Sequence, residues 1–120
     1  MDIRAAAIDF LTNCAHGRVQ EAYDKYAAPH FIHHNQYFKG DRQSLLDAMK
    51  DASVSSPNRS YTVKQSFVDG DRVATFSHVA KDDMDIAVVH MFRFEDEKIV
   101  EMWDVGQVVD KASPNQFGIF

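Results

Sequence analysis

Hydrophobic residues recur every three or four positions in the first part of the chain, which predicts helices. Residues 1–15 have one such apolar face, made up of Ile3, Ala6, Ala7, Phe10, Leu11 and Cys14. Asp2 is placed to cap this helix and Gly17 to end it, because glycine readily adopts the left-handed conformation beyond helix C-termini. A second short helix, which we expect to end at Pro29, has an apolar side of Val19, Ala22, Tyr23 and Tyr26.

A third helix is predicted after Asp41, which is a good N-cap residue. Its apolar stripe consists of Leu45, Leu46 and Met49. A short strand is expected at residues 31–35, between the second and third helices. Residues 53–60 contain a proline and an asparagine and are predicted to form a loop. This loop separates a helical half from a strand half and does not mark a domain boundary, so residues 1–120 are expected to form one domain.

Apolar and polar residues alternate in the second half of the chain, which is typical of strands. Strands are predicted over residues 61–68, 72–80, 86–94 and 99–109. The Asp69-Gly70-Asp71 segment between the first two is a hairpin turn signal. Helices followed by a run of antiparallel strands indicate an α+β fold, with one face of a strongly curved sheet packed on the helices.

Composition limits the partners that this chain can be expected to have. The 13 Lys and Arg residues against 18 Asp and Glu residues give a net charge of −5, which argues against nucleic acid as a partner. The single cysteine, Cys14, cannot form an internal disulfide, so a reducing, cytoplasmic setting is expected. No apolar stretch approaches the roughly 20 residues that a membrane span needs, and no membrane association is predicted.

Several polar residues stand within otherwise apolar strands. Residues two apart in a strand share a face, and the sets predicted to line one concave surface are Ala74, Phe76, His78, His90, Phe92, Phe94, Met102 and Asp104. Apolar walls with a few converging polar groups are typical of a small-molecule pocket. A carboxylate such as Asp104 is poorly solvated in such a wall, which suits a general acid or base.

Each of these polar residues also has a purely structural interpretation. A histidine on a strand can be a hydrogen-bonded structural residue, and this alternative stays open for His78 and His90. The adjacent His33 and His34 must face opposite ways in an extended segment, so only one of them can line a pocket. No metal is predicted, because the chain has neither HxH nor HExxH spacing.

Four segments of the chain have a distinctive sequence: FIHHN at residues 31–35 with Lys39-Gly40, residues 73–78, MFRFEDEKIVEMWDV at residues 91–105 and NQFGIF at residues 115–120. Through these segments the chain resembles SnoaL-like proteins of the NTF2-like superfamily over nearly its whole length. This resemblance implies an NTF2-like cone, in which helices and a curved antiparallel sheet enclose a pocket. In the polyketide cyclase branch, the aspartate of the Trp-Asp pair on the last strand is the acid/base, and it corresponds here to Asp104.

The resemblance implies cofactor-independent acid/base chemistry, of an aldol cyclase or isomerase type, on a small, largely apolar carbonyl compound. Asp104 would move a proton, and His78 or His90 would bind the developing enolate oxygen. The expected substrate-binding residues are His34, Asn35, Phe76, Phe92, Phe94, Met102 and Trp103, although alternation along the strand also allows Trp103 to face the other side of the sheet. The alternative is a binding module without catalysis, in which Asp104 is ion-paired with Arg93 or Arg72.

The sequence departs from the pattern of this family at four positions. Met102 and Phe76 stand where members often have histidine, and His90 where they often have aspartate. Glu97 stands where the turn usually has glycine. These changes are compatible with a relocated polar group and with a pocket that has lost its chemistry.

The resemblance also implies a dimer formed through the sheet. The outer sheet face is predicted to carry Val73, Val79, Val89, Met91, Ile99 and Val105. Monomeric proteins rarely expose an apolar patch of this kind, so a twofold homodimer is expected.

Overall fold

The computed structural model describes all residues, 1–120. Its helices are α1 (Ile3–Ala15), α2 (Val19–Tyr26) and α3 (Arg42–Ser55), and its strands are β1 (Ala27–His34), β2 (Ser60–Asp69), β3 (Arg72–Ala80), β4 (Asp85–Glu95) and β5 (Lys98–Val108). The predicted α+β class is confirmed. None of the helices has both the length and the apolar character that crossing a membrane requires.

The predicted capping residues start two of the helices. The Asp2 carboxylate accepts a hydrogen bond from the Ala5 amide at the start of α1. The Asp41 carboxylate accepts one from the Ser44 amide at the start of α3. Each bond satisfies an amide that has no partner within the helix. Helix α3 continues to Ser55, two residues beyond the predicted start of the loop.

The first strand differs from the prediction in its length and in its pairing. Helix α2 ends at Tyr26 and β1 begins at once, so Pro29 lies within the strand instead of ending the helix. The residue before a proline avoids helical conformation, and proline is tolerated in an edge strand. The sheet order is β1-β5-β4-β3-β2, and β1 runs parallel to β5. The four strands of the second half pair antiparallel, as expected, and the parallel β1–β5 pair makes the sheet a mixed one.

The core lies between the helices and one face of the sheet, the inner face. The Phe10 ring of α1 packs 5.2 Å from the Tyr23 ring of α2 and 6.1 Å from the Phe92 ring of β4, measured between centroids. All three side chains are fully buried. These contacts fix the helices against β4, which is a central strand of the sheet.

The register of β3 corrects the predicted face of that strand. Thr75 pairs with His90 and Val73 with Phe92, so the odd-numbered residues of β3 share the inner face with His90 and Phe92. Phe76 and His78 consequently lie on the opposite, outer face. Val73, Val79 and Ile99 are buried and do not belong to the outer face, where the sequence had been expected to place them.

Candidate functional site

Asp104 and His90 face each other on the inner face of the two central strands. The β4–β5 register places them directly opposite each other, and His90 Nε2 lies 3.5 Å from Asp104 Oδ1. His90 is 7% exposed, whereas the Asp104 side chain is 23% exposed. The predicted neighbourhood of these two groups is therefore present in the structure.

Asn35 completes the arrangement from the end of β1. Its side-chain amide donates to Asp104 Oδ2 at 2.8 Å. The loop that carries Asn35 is held by His33, whose Nδ1 accepts a hydrogen bond from the Asn35 amide at 3.0 Å. His33 Nε2 donates to the Lys39 carbonyl oxygen at 2.6 Å. His33 is thus a positioning residue, and it is the inward-facing member of the His33-His34 pair.

Burial and the neighbouring charge shift the pKa of His90 in opposite directions. Burial lowers the pKa of His90 below its ordinary value, and the neighbouring Asp104 charge partly opposes this effect. The ring is accordingly neutral at pH 7. Its Nε2 faces Asp104, whereas its Nδ1 is buried without a hydrogen-bond partner. A proton on Nε2 faces the Asp104 carboxylate at 3.5 Å and leaves a lone pair on Nδ1, which is the form in which a histidine can accept a proton as a general base.

A cavity of about 140 Å³ lies between α1, α3 and the inner face of the sheet. It is lined by Leu11, Cys14, Ala15, Met49, Ala52, Ser53, Ser56, Asn58, Tyr61, Lys81 and His90. Burial raises the pKa of the Cys14 thiol to about 12, so this group stays protonated and is a wall of the cavity, not a nucleophile.

Asp104 lines a different depression from the one that His90 lines. Its neighbours there include His34 at the end of β1 and Asn35, Gln36 and Tyr37 in the loop that follows. The pair therefore lies between two openings, with the imidazole on the apolar cavity and the carboxylate towards the loop. This corrects the expectation of one hollow that holds the carboxylate and several histidines.

Three of the expected substrate-binding residues are core residues beside this pair. Phe92, Phe94 and Met102 are at most 4% exposed, and none of them lines the cavity. The Phe92 ring stacks on the His90 ring with centroids 6.0 Å apart. These side chains pack beside the His90 imidazole and hold it in place, but they do not line the cavity.

Trp103 lies on the outer face and not in the depression that holds Asp104, whereas His34 lines that depression and also stacks on Trp103. Their rings stack with centroids 4.8 Å apart, and His34 Nε2 lies 2.7 Å from Glu101 Oε2. Arg93 donates to the other oxygen of Glu101 at 3.0 Å. The hydrogen bond from His34 and the Arg93 charge hold the pKa of Glu101 below its usual value. This cluster is a surface ion-pair network that the sheet separates from His90.

His78 and Phe76 also lie on the outer face, away from the predicted pocket. His78 Nε2 is 2.9 Å from Asp85 Oδ2. The Phe120 ring stacks on the His78 ring at 4.3 Å and lies 5.6 Å from the Phe76 ring. His78 therefore packs against the C-terminal residue, and its partner is a different carboxylate from Asp104.

No three histidine, cysteine or carboxylate side chains converge in an arrangement that could hold a metal ion. The His90–Asp104 and His78–Asp85 pairs lie on opposite faces of the sheet, as the β3–β4 register requires.

Comparison with known proteins identifies the family. The SnoaL-like polyketide cyclase family matches residues 5–113, and the chain belongs to this family. This confirms the resemblance found in the sequence. A comparison with curated protein sequences gives no match.

Solved structures show the same fold at low sequence identity. AclR from Streptomyces galilaeus, a proposed hydroxylase, has a TM-score of 0.72 and 20% identity over 87% of this chain and 77% of its own. IdmH from Streptomyces antibioticus, a proposed polyketide cyclase, has a TM-score of 0.70 and 17% identity over 89% of this chain and 93% of its own. An NTF2-like protein of unknown function from Cytophaga hutchinsonii has a TM-score of 0.72 and 14% identity over 89% of this chain and 91% of its own. These similarities confirm the NTF2-like fold and do not extend to an activity.

Proposed function

We propose that the protein catalyses acid/base chemistry, of a cyclase or isomerase type, on a small, largely apolar carbonyl compound. The observation that carries this proposal is the pairing of the partly exposed Asp104 with the buried His90, which lines an apolar cavity and has an unpartnered Nδ1. Membership of the SnoaL-like family is consistent with such a reaction. The side chains present supply both a base and its counter-charge, so the proposed proton transfer requires no cofactor.

Proton removal is assigned to His90, because His90 lines the cavity and Asp104 does not. The C–H bond next to the substrate carbonyl breaks, its proton moves to Nδ1, and the electron pair forms an enolate. The Asp104 carboxylate, 3.5 Å from Nε2, stabilises the imidazolium that results. In a cyclase reaction the enolate carbon attacks a second carbonyl carbon, and the alkoxide that forms takes the proton from Nδ1. In an isomerase reaction the proton on Nδ1 returns to a different carbon of the conjugated enolate. Both routes leave His90 neutral again.

A binding module without catalysis was expected to hold Asp104 in an ion pair with Arg93 or Arg72. Arg93 instead binds Glu101 and Glu95. Arg72 lies over the Trp103 ring on the outer face. Asp104 thus has no arginine partner to neutralise it, which favours the catalytic proposal over the binding module.

Exchange of carbonyl α-protons for deuterium, followed by NMR on small cyclic ketones and diketones, tests the proposal. We expect the wild type to accelerate exchange, and Asp104→Asn and His90→Gln each to lower the rate by about 100-fold, as removal of a general base or its counter-charge does. Asp85→Asn is the matched control, because it removes the carboxylate of the other His–Asp pair, on the outer face. Equal rates in the wild type and Asp104→Asn would remove Asp104 from the mechanism.

A further inference from the structure

The cavity that His90 lines has a second polar end. Asn58, in the loop after α3, and Lys81, directly after β3, line the same cavity. His90 pairs with Thr75 near the start of β3, whereas Lys81 follows Ala80, the last residue of that strand. His90 and the Asn58–Lys81 pair therefore lie towards opposite ends of the cavity. The proposed proton transfer uses only the His90 end.

Asn58 carries a hydrogen-bond acceptor of fixed orientation at this second end. Its Nδ2 donates to the Ala15 carbonyl oxygen at 2.9 Å, at the end of α1. That bond fixes the orientation of the amide and leaves Oδ1, which can only accept. Oδ1 is buried and has no hydrogen-bond partner in the protein. An unpaired buried acceptor costs free energy, and a ligand that brings a donor recovers it.

Lys81 carries donors at the same end. Its ammonium group donates to the carbonyl oxygen of Ser56, which lies two residues before Asn58 and also lines the cavity. An ammonium group has three N–H donors, so two remain free for a ligand or for solvent. This end of the cavity thus has an acceptor and a donor on neighbouring residues.

A hydroxyl group is the ligand group that matches both residues. It donates its hydrogen to Asn58 Oδ1 and accepts from the Lys81 ammonium group through its lone pairs. A carboxylate accepts from Lys81 but has no hydrogen for Oδ1, and its negative charge faces the carbonyl oxygen of Asn58. A ketone oxygen also lacks a hydrogen, so the reacting carbonyl does not belong at this end.

The size of the cavity limits the ligand. Its volume is about 140 Å³, and an apolar cavity of about 150 Å³ holds one benzene ring. Because the cavity holds only one ring-sized unit, a ligand that fills it contacts both His90 and the Asn58–Lys81 end.

We propose that Asn58 and Lys81 form a subsite for a hydroxyl group, and that the substrate is a ring-sized hydroxy ketone with its hydroxyl group remote from the reacting carbonyl. The proposal rests on the proposed function for the reaction of that carbonyl at His90. It adds the substrate class and the two residues that select it.

Binding of three six-membered cyclic ketones, measured by NMR titration, tests the subsite. They are cyclohexanone, 4-hydroxycyclohexanone and 4-oxocyclohexanecarboxylate, which differ only in the group opposite the carbonyl. We expect the wild type to bind the hydroxy ketone about threefold to tenfold more tightly than cyclohexanone, the effect of one added hydrogen bond. The carboxylate should bind more weakly than the hydroxy ketone, because it brings no donor to Asn58.

Two substitutions assign the preference to its residues. Asn58→Leu and Lys81→Met should each reduce the ratio of the two affinities towards one, because each removes a hydrogen bond that only the hydroxy ketone makes. The ratio separates this loss from a general change in the cavity, which affects both ketones alike. Lys64→Met is the matched control, because it removes an exposed lysine that lies over the Phe120 ring on the outer face.

Three results would overturn the subsite. They are equal affinity for 4-hydroxycyclohexanone and cyclohexanone, tighter binding of the carboxylate than of the hydroxy ketone, and a hydroxyl preference that survives either substitution. If loss of the bond to Ala15 prevents Asn58→Leu from folding, the wild-type ligand series and Lys81→Met decide the outcome.

The two proposals fail in different ways. A hydroxyl preference that depends on Asn58 and Lys81, together with no α-proton exchange, would retain the subsite and reject the catalytic function. Exchange that depends on His90 and Asp104, together with equal binding of the hydroxy ketone and cyclohexanone, would do the reverse.

Discussion

At the scale of single residues, His90 owes its chemical character to the different surroundings of its two ring nitrogens. Nε2 faces the Asp104 carboxylate at 3.5 Å, whereas Nδ1 is buried without a partner. Asn35 holds the other oxygen of Asp104 at 2.8 Å and so fixes the carboxylate. Protonation of this ring places a charge in a buried site, which couples the stability of the protein to pH.

We expect the free energy of unfolding to fall as the pH is lowered below about 6.5, the ordinary histidine value. The folded-state pKa of His90 is lowered by burial, so in this range the unfolded chain binds a proton that the folded chain does not, and stability rises with pH. His90→Gln removes this titration. Urea unfolding of both proteins between pH 5 and pH 8 measures the difference.

Carboxylates also contribute to the pH dependence of the unfolding free energy in acid. Their contribution is the same in the wild type and in His90→Gln, so it cancels when the two proteins are compared. The pH dependence of the variant should be shallower than that of the wild type. The same slope in both proteins would show that His90 does not resist protonation in the folded state.

The candidate residues differ in how far the sequence predicted them. Asp104 and His90 stand out as polar groups within apolar strands, and their cross-strand pairing bears out that they belong together. His78 has the same local signature, yet it contacts Asp85 on the other face. A polar residue within an apolar strand indicates a group that needs a partner. Which partner it meets depends on the strand register, and the register is a property of the whole sheet.

At the scale of elements, two hairpin turns have left-handed backbone positions, and only one of the two turns has glycine there. The β4–β5 turn places Asp96 at φ 48° and Glu97 at φ 66°, both in the left-handed region. The β2–β3 turn places Gly70 at φ 60°. Residues with a Cβ atom are strained in this region and glycine is not.

Glu97→Gly is expected to stabilise the protein by about 0.5–1 kcal/mol, because it relieves backbone strain at a left-handed position. Gly70→Ala is the matched opposite change and should destabilise the protein by about 1 kcal/mol. A Cβ atom added at Gly70 meets nothing within 4 Å, so backbone conformation alone accounts for that cost. Chemical denaturation measures both values, and a stabilising Gly70→Ala would contradict this account.

The hairpins were predictable because their turn residues and alternation are local signals. The first strand was predicted at residues 31–35, but it begins earlier, at Ala27, and its partner was not predicted. Strand β1 pairs in parallel with β5, about 70 residues away in the chain, and its register shifts between Ala27 and Ile32, around Pro29. No local signal specifies such a partner, because parallel pairing joins segments that are distant in sequence.

At the scale of the whole molecule, the outer face of the sheet carries exposed apolar residues on neighbouring strands. Phe76, Val89 and Val105 lie side by side across β3, β4 and β5. Met91 is 43% exposed and Phe67 is 64% exposed on the same face. Phe120 packs against Phe76 and His78 at one side of this face. We propose that a second copy of the chain covers the remainder, in a twofold dimer.

Met91→Glu should shift the protein from dimer to monomer in sedimentation experiments at micromolar concentration, because it buries a charge at the centre of this face. Val54→Glu is the matched control, since Val54 on α3 is 84% exposed and away from the sheet. A wild type that sediments as a monomer would rule out the dimer. Unchanged sedimentation of Met91→Glu would place the interface elsewhere.

The sequence by itself determined the helices, the four hairpin-connected strands, the family and the identity of the two central polar residues. Caps, turns and periodicity are local, and they are specified by residues a few positions apart. Asp104 and His90 were detectable for the same reason, because a polar group in an apolar strand is a local anomaly.

Only the tertiary structure decided which face each side chain occupies and which groups meet. It placed His78 and Trp103 outside, buried the Thr75 and Ser77 hydroxyls beside His90, and separated the Asp104 depression from the apolar cavity. The physical reason is that side chains alternate with a period of two along a strand, so a register shift of one residue exchanges the inner and outer faces. That register is fixed by packing of the whole sheet against the helices.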